Sequence, residues 1–142
     1  MIAGKFKNES FYIKGKAIYI LIFLFFIIKL LLLSNYKTIW WDSSVYMGMG
    51  KYIYSNGNSG LWEPSRPLII PLIIGFGWGI GANLLIFSKV VALGFSLGTL
   101  TLIYLLGLKL FSKKIAITAC IFTAFSYTFF FFSSLLLTEI PS

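Results

Sequence analysis

Ile39–Pro71 reads IWWDSSVYMGMGKYIYSNGNSGLWEPSRPLIIP. The stretch holds Asp42, Glu63 and Arg66, three of the four tryptophans and three of the four prolines. It is the one long segment that is not plainly soluble in lipid; the chain on both sides is apolar enough to lie in a bilayer. The segment therefore reads as a loop on the membrane surface. Asp42, Ser43 or Ser44 is placed to cap a short helix over Ser43–Tyr54, where a side-chain oxygen accepts the free amides of a first turn. Val45, Met49, Tyr52 and Ile53 then share one face of a helix lying in the interface. Ser55–Gly60, SNGNSG, is a turn cluster. Pro64 and Pro67 bias the backbone around Arg66 toward an extended path.

Composition supports a membrane solvent. Hydrophobic residues make up 58% of the 142-residue chain and charged residues 11%. A soluble domain carries about 25% charged residues. The net charge is +8, but the lysines flank apolar runs, so they read as topology signals and lipid-headgroup contacts, not as a nucleic-acid surface. Cys120 is the only cysteine; no intramolecular disulfide can form, and its apolar context makes it a small packing residue. There is no histidine, so acid–base or metal chemistry falls to the few carboxylates.

The flanking runs divide the chain. Residues 1–16 form a basic tail with Lys5, Lys7, Lys14 and Lys16. The run AIYILIFLFFIIKLLLL, Ala17–Leu33, together with its flank to residue 36, reaches the roughly 20 residues of a membrane crossing. No small-residue cleavage site follows it, so it reads as an uncleaved first transmembrane helix and not a signal peptide. Residues 37–81 form the loop. Its end, Leu68–Ile80, is short for a crossing, and glycines 75, 77, 79 and 81 weaken helix there; it reads as interfacial or partly inserted. The second span is 82–110. Its Gly94 and Gly98 have GxxxG spacing, which reads as packing within the molecule in preference to dimerisation. A basic connector, FSKK at 111–114, precedes the third span at 115–137, and residues 138–142 start a second loop.

Lysine distribution orients this arrangement. The tail and the connector both carry lysines, and three spans place both on the cytoplasmic side. The expected fold is thus an all-α membrane protein of about three transmembrane helices. Its N-terminus is cytoplasmic, and its extracytoplasmic loop contains short interfacial helices. The plasma membrane is the expected location.

Of four acidic residues, Glu9 belongs to the tail; Asp42, Glu63 and Glu139 fall on the outer face. Asp42 follows the first span and Glu139 the third, so both are expected at similar depth. Carboxylates there serve as general bases or as oxygen ligands of a divalent cation, or are merely solvated. Asp42 is the candidate metal ligand. Arg66 suits a carboxylate or phosphate, or pairs with Glu63 or a lipid headgroup. Lys29 and Lys89 are intramembrane charges; they either snorkel outward or line a cavity and meet a lipid phosphate. Trp40, Trp41 and Trp62 read as an interfacial belt.

The order of features, WWDSSVYMGMGKYI after a first span, a loop ending in WEPSRPLIIPLI, the basic KLFSKK connector and a closing LLLTEIP, resembles the amino-terminal part of the membrane-embedded GT-C glycosyltransferases. The protein O-mannosyltransferases and lipid A aminoarabinose transferases are the nearest groups. The resemblance covers about Ala17–Ser142. It implies transfer of a sugar from a polyprenyl-phosphate carrier to an acceptor on the outer face of the membrane. By the same resemblance Asp42 matches the acidic residue implicated in acceptor activation or metal binding, and Glu139 the acidic residue of the second outer loop. Glu63 and Arg66 match groups that approach the acceptor or the carrier phosphate. Ser43 stands where many members carry a second acid, which departs from the protein-mannosyltransferase pattern. Family members have many more spans, so the resemblance implies that this chain is a front part needing partner helices from a C-terminal part. The alternative from another class is a small non-catalytic membrane subunit or a transporter fragment, with a partner covering Gly94 and Gly98.

Overall fold

The computed structural model describes residues 16–32 and 40–135. The regular structure of the described residues is all helical: α1 (Lys16–Leu32), α2 (Trp41–Tyr54), α3 (Ile69–Gly79), α4 (Leu84–Leu110), α5 (Lys113–Phe125) and α6 (Tyr127–Phe132). No strand occurs among the described residues. The expected loop contains α2 and α3, and the expected second span is α4.

One described helix, α4, is long and apolar enough to cross a membrane. Its 27 residues extend about 40 Å at 1.5 Å per residue, against a hydrocarbon core of about 30 Å. The 17 described residues of α1 extend about 26 Å by the same rise. The expected third span, 115–137, is not one continuous helix. It begins at Lys113 and breaks at Ser126, whose backbone is extended at φ −64° and ψ 134°. The Ser126 hydroxyl donates to the Thr123 carbonyl at 3.0 Å and accepts from the Phe129 amide at 3.3 Å. One side chain thus closes α5 and opens α6, which apolar periodicity does not reveal.

α4 is the element the rest packs on. At its C-terminal end Tyr104 is buried with Ile18 of α1 and Ala116 and Cys120 of α5. At its middle Leu93 and Leu100 are buried with Phe25 of α1 and Ala124 of α5. These two layers make α1 and α5 antiparallel to α4. Lys16, Lys109, Lys113 and Lys114 therefore share one end of the bundle. The hydroxyls of Ser96, Thr99 and Thr101 donate to carbonyls one turn back at 2.8–3.0 Å, so an apolar helix carries them without exposed polar groups. The close α4–α5 contact is at Gly107, where a Cβ would lie 2.7 Å from Ala116 Cα. At Gly94 and Gly98 an added Cβ would meet nothing within 4 Å. The expected packing on those two glycines is thus absent among the described residues, because α1 and α5 cover other faces of α4.

The hairpin of α2 and α3 docks on the opposite end of α4. Tyr46, Ile70 and Ile74 form a buried cluster backed by Leu84, Phe87, Val91 and Phe95. Within the hairpin the two backbones nearly touch: a Cβ at Gly50 would lie 2.7 Å from Gly75 N and 2.8 Å from Pro71 O. This contact moves the buried stripe of α2 to Val45, Tyr46, Met49 and Gly50. Of the expected interfacial face, Val45 and Met49 are buried in the molecule, whereas Tyr52 and Ile53 are not. Tyr52 instead stacks near Trp62, with ring centroids 5.7 Å apart.

Helix α3 forms in spite of its glycines, since their missing side chains admit α2 and Phe87. It ends at Gly81, in the left-handed region at φ 77°. Amides of Gly81 and Ala82 reach back to the Trp78 and Gly77 carbonyls at 2.9 and 3.0 Å, a Schellman closure. Asn56, at φ 51°, closes α2 in the same way, with Asn56 and Gly57 amides on the Ile53 and Tyr52 carbonyls. That places the expected SNGNSG turn.

Candidate functional site

The WEPSRP segment folds as a turn, not as the expected extended strip. The Arg66 amide donates to the Glu63 carbonyl at 3.3 Å, with Pro64 at the second turn position, where its fixed φ is suitable. The turn directs Arg66 back at the start of α2. Its Nη2 lies 2.7 Å from Asp42 Oδ1, and its Nε lies 3.2 Å from Glu63 Oε1. The Ser65 hydroxyl donates to the same Glu63 oxygen at 3.3 Å. One turn along α2 from Asp42, the buried Tyr46 ring lies beneath the guanidinium, 5.8 Å from its centroid.

Asp42 does not cap α2. The N-cap is Trp40, with no side-chain cap, and Asp42 lies in the first helical turn. The guanidinium offers its carboxylate a charge-assisted partner in place of the helix amides. Ser44 turns its hydroxyl toward the Trp40 carbonyl at 3.3 Å. Hydrogen bonds to Tyr46 first, then to Glu63 and Asp42, raise the Arg66 pKa above its already high ordinary value. A raised base contributes stability below its unfolded pKa and loses it only above the folded one. Both lie beyond the working pH range, so Arg66 stays cationic throughout it.

The cluster therefore unites three of the six sequence-predicted residues: Asp42, Glu63 and Arg66. Lys29 goes elsewhere. It neither snorkels to solvent nor meets the cluster: it is 3% exposed. Its Nζ donates to the Phe130 carbonyl and to Ser134 Oγ, the latter at 2.9 Å. It also lies 3.6 Å from the Phe130 ring centroid. It binds the C-terminal end of α6, where carbonyls lack helical partners. Lys89 is half-buried in the second turn of α4, at the end where the hairpin docks. Glu139 lies outside the described residues.

Trp40 packs edge-on against Phe131 at 6.0 Å, which ties α6 to the start of α2. Trp40, Trp41 and Trp62 are all exposed. A divalent cation draws six or more oxygens when it is calcium or magnesium. Here the cation beside Asp42 and Glu63 is Arg66, and no group of three or more His, Cys, Asp or Glu gathers among the described residues.

Sequence reasoning missed Tyr46 and the Asp42–Arg66 pair. The available signal was the i,i+4 spacing of Asp42 and Tyr46. The pair itself spans 24 positions and depends on the Gly50–Gly75 approach. Comparison with known protein families, curated proteins and solved structures gives no match for this chain.

Proposed function

We propose that this chain is the membrane-embedded front of a glycosyltransferase that moves a sugar from a polyprenyl-phosphate carrier to an acceptor at the outer membrane face. The observation that carries the reading is the Asp42–Arg66–Glu63 cluster at the end of the bundle opposite Lys16, Lys109, Lys113 and Lys114. Short basic connectors face the cytoplasm, and Lys113 follows Ser112 directly in such a connector; on that reading the cluster faces outward. α1, α4 and the broken α5–α6 unit are then the three spans. Support for a bilayer solvent comes from α4 itself. Ile86, Val90, Gly94, Gly98, Leu102, Leu106 and Leu110 form one i,i+4 row, exposed along its length; water would penalise so long an apolar ridge. Ile69, Leu72, Phe76 and Ile80 give α3 an exposed apolar stripe as well, suited to the interface.

In the proposed reaction Asp42 accepts the proton of an acceptor hydroxyl or amine. The acceptor atom bonds to the sugar's anomeric carbon. The bond from that carbon to the phosphate oxygen breaks, and the carrier phosphate leaves with the electron pair. Arg66 faces the phosphate's negative charge. The test is Asp42→Asn in membranes supplied with a polyprenyl-phosphate sugar, in the presence of any partner helices the activity requires. Transfer is expected to fall by at least about a hundredfold while the protein stays in the membrane. Retained transfer removes Asp42 from the mechanism.

A second reading has its own observation. The exposed Gly94–Gly98 notch fits a partner helix, as a non-catalytic subunit or transporter fragment would require. That reading expects tolerance of loop changes, Asp42→Asn included.

A further inference from the structure

We infer that the Asp42–Arg66 pair is a latch that a phosphate group opens, so that the carrier's own phosphate releases Asp42 from its arginine. The inference rests on the transferase reading and concerns the regulation of that same site. Three facts carry it. First, Arg66 is already engaged by two carboxylates, and with two acids and one base the cluster has a formal charge of −1. A phosphate cannot simply be added beside both carboxylates without like-charge repulsion; one of them must leave.

Second, the two carboxylates are held differently. Glu63 is bound within its own turn, through the Arg66 amide on its carbonyl and the Ser65 hydroxyl on its carboxylate. Asp42 reaches across from α2 and holds Arg66 by one oxygen at 2.7 Å. Rotation of the Asp42 side chain separates it from Arg66, whereas the shared turn keeps Glu63 next to Arg66. Third, the exchange is cheap. The side chains of Arg66 and Asp42 are 27% and 36% exposed, and an ion pair in such a position is weak. A phosphate, with more oxygens and more charge, competes well for a planar guanidinium.

The latch gives an order of events. With no donor bound, the base is occupied by Arg66. When the carrier phosphate takes the guanidinium, Asp42 turns free toward the acceptor, and the base becomes available only when a donor is present.

Binding tests this without requiring transfer. The protein in phosphatidylcholine nanodiscs is titrated with farnesyl phosphate, with farnesol as the uncharged control and inorganic phosphate as the headgroup-free arm; tryptophan fluorescence reports binding. Asp42→Asn removes the competitor and keeps the shape. It is expected to bind farnesyl phosphate about two- to fivefold more tightly than the unmodified chain, the range set by an exposed ion pair. Arg66→Ala is expected to bind it no better than farnesol, and Arg66→Lys to recover part of the affinity. Tighter binding of inorganic phosphate by Asp42→Asn as well would assign the exchange to the phosphate group alone, apart from any lipid chain. Unchanged or weaker binding of farnesyl phosphate by Asp42→Asn overturns the latch, even if transfer activity depends on Asp42. Loss of transfer in Asp42→Asn with tightened binding supports latch and transferase together. Retained transfer with tightened binding keeps the phosphate exchange and rejects Asp42 as the base.

Discussion

Gly50 and Gly75 meet where two helix backbones nearly touch, whereas Gly94 and Gly98 look onto open space. The second pair carries the familiar spacing of a helix contact; the first pair has no spacing motif at all. The difference teaches that a glycine's role depends on what opposes it. Gly50 lies opposite α3 because the SNGNSG turn and the WEPSRP turn reverse the chain, and α3 then returns along α2. Gly94 and Gly98 lie on the side of α4 that α1, α3 and α5 leave uncovered.

The largest expected effect breaks the first pair. In Gly50→Val the new side chain would meet Gly75 N and Pro71 O within 2.8 Å. Both are backbone atoms that no rotamer change can move. Overpacking of this kind costs about 1–3 kcal/mol, and the upper part of that range is expected here. Denaturant titration in mixed micelles measures it. The hairpin also brings the 63–66 turn to Asp42, so the same variant should lose the Asp42–Arg66 pair and the phosphate binding proposed for it. Stability within about 0.5 kcal/mol of the unmodified chain would mean that the two helices can part without loss.

A smaller effect concerns α6, which lacks so tight a contact and relies on Lys29. In Lys29→Met the Phe130 carbonyl loses a cationic donor but keeps the Ser133 hydroxyl, 2.8 Å away. A hydrogen bond to a charged group is worth about 1.5–3 kcal/mol, and relief from burying the ammonium offsets part of it. A net loss of about 1 kcal/mol is expected. With Cys120 replaced by alanine, a cysteine at Phe129 should also react faster with a thiol reagent when Lys29 is methionine. An unchanged labelling rate would show that ring contacts alone hold α6.

The sequence made the helices legible to different degrees, for physical reasons. α4 was readable almost to its ends, because a long apolar run between Asn83 and Phe111 leaves few other structures. Asn83 caps it through the Leu85 and Ile86 amides. The break at Ser126 was not readable, since serine's two hydrogen bonds there are local and leave the apolar pattern intact. At the site, Arg66 and its Glu63 partner were visible as neighbours in the chain. Asp42's place in the same cluster was not, because it depends on a tertiary contact between glycines that carry no polar signal. Lys29 was visible as an unusual charge, but its partner is a backbone carbonyl on α6, and carbonyls are the same in every sequence.

The smallest expected effect returns to the second glycine pair and decides between the two functional readings. Gly94→Ala and Gly98→Ala add methyl groups where nothing lies within 4 Å. Neither should strain the molecule, and each replaces a poor helix former with a good one. A gain of up to about 1 kcal/mol per site is the ceiling set by helix propensity in water; in lipid, where backbone bonds are already enforced, the change should be nearer zero. Bulkier Gly94→Leu and Gly98→Leu should behave alike if lipid alone covers this face, because Val90 and Leu102 of the same row are exposed there too. A partner helix would respond differently. Its close approach requires both glycines to stay bare, so the leucine variants would abolish co-purification of that partner while the chain itself remained folded. Unchanged phosphate binding in those variants, with a partner lost, would show that the notch and the Asp42 cluster act independently. The Asp42 end of the bundle would then carry the chemistry, and the uncovered side of α4 would carry the assembly.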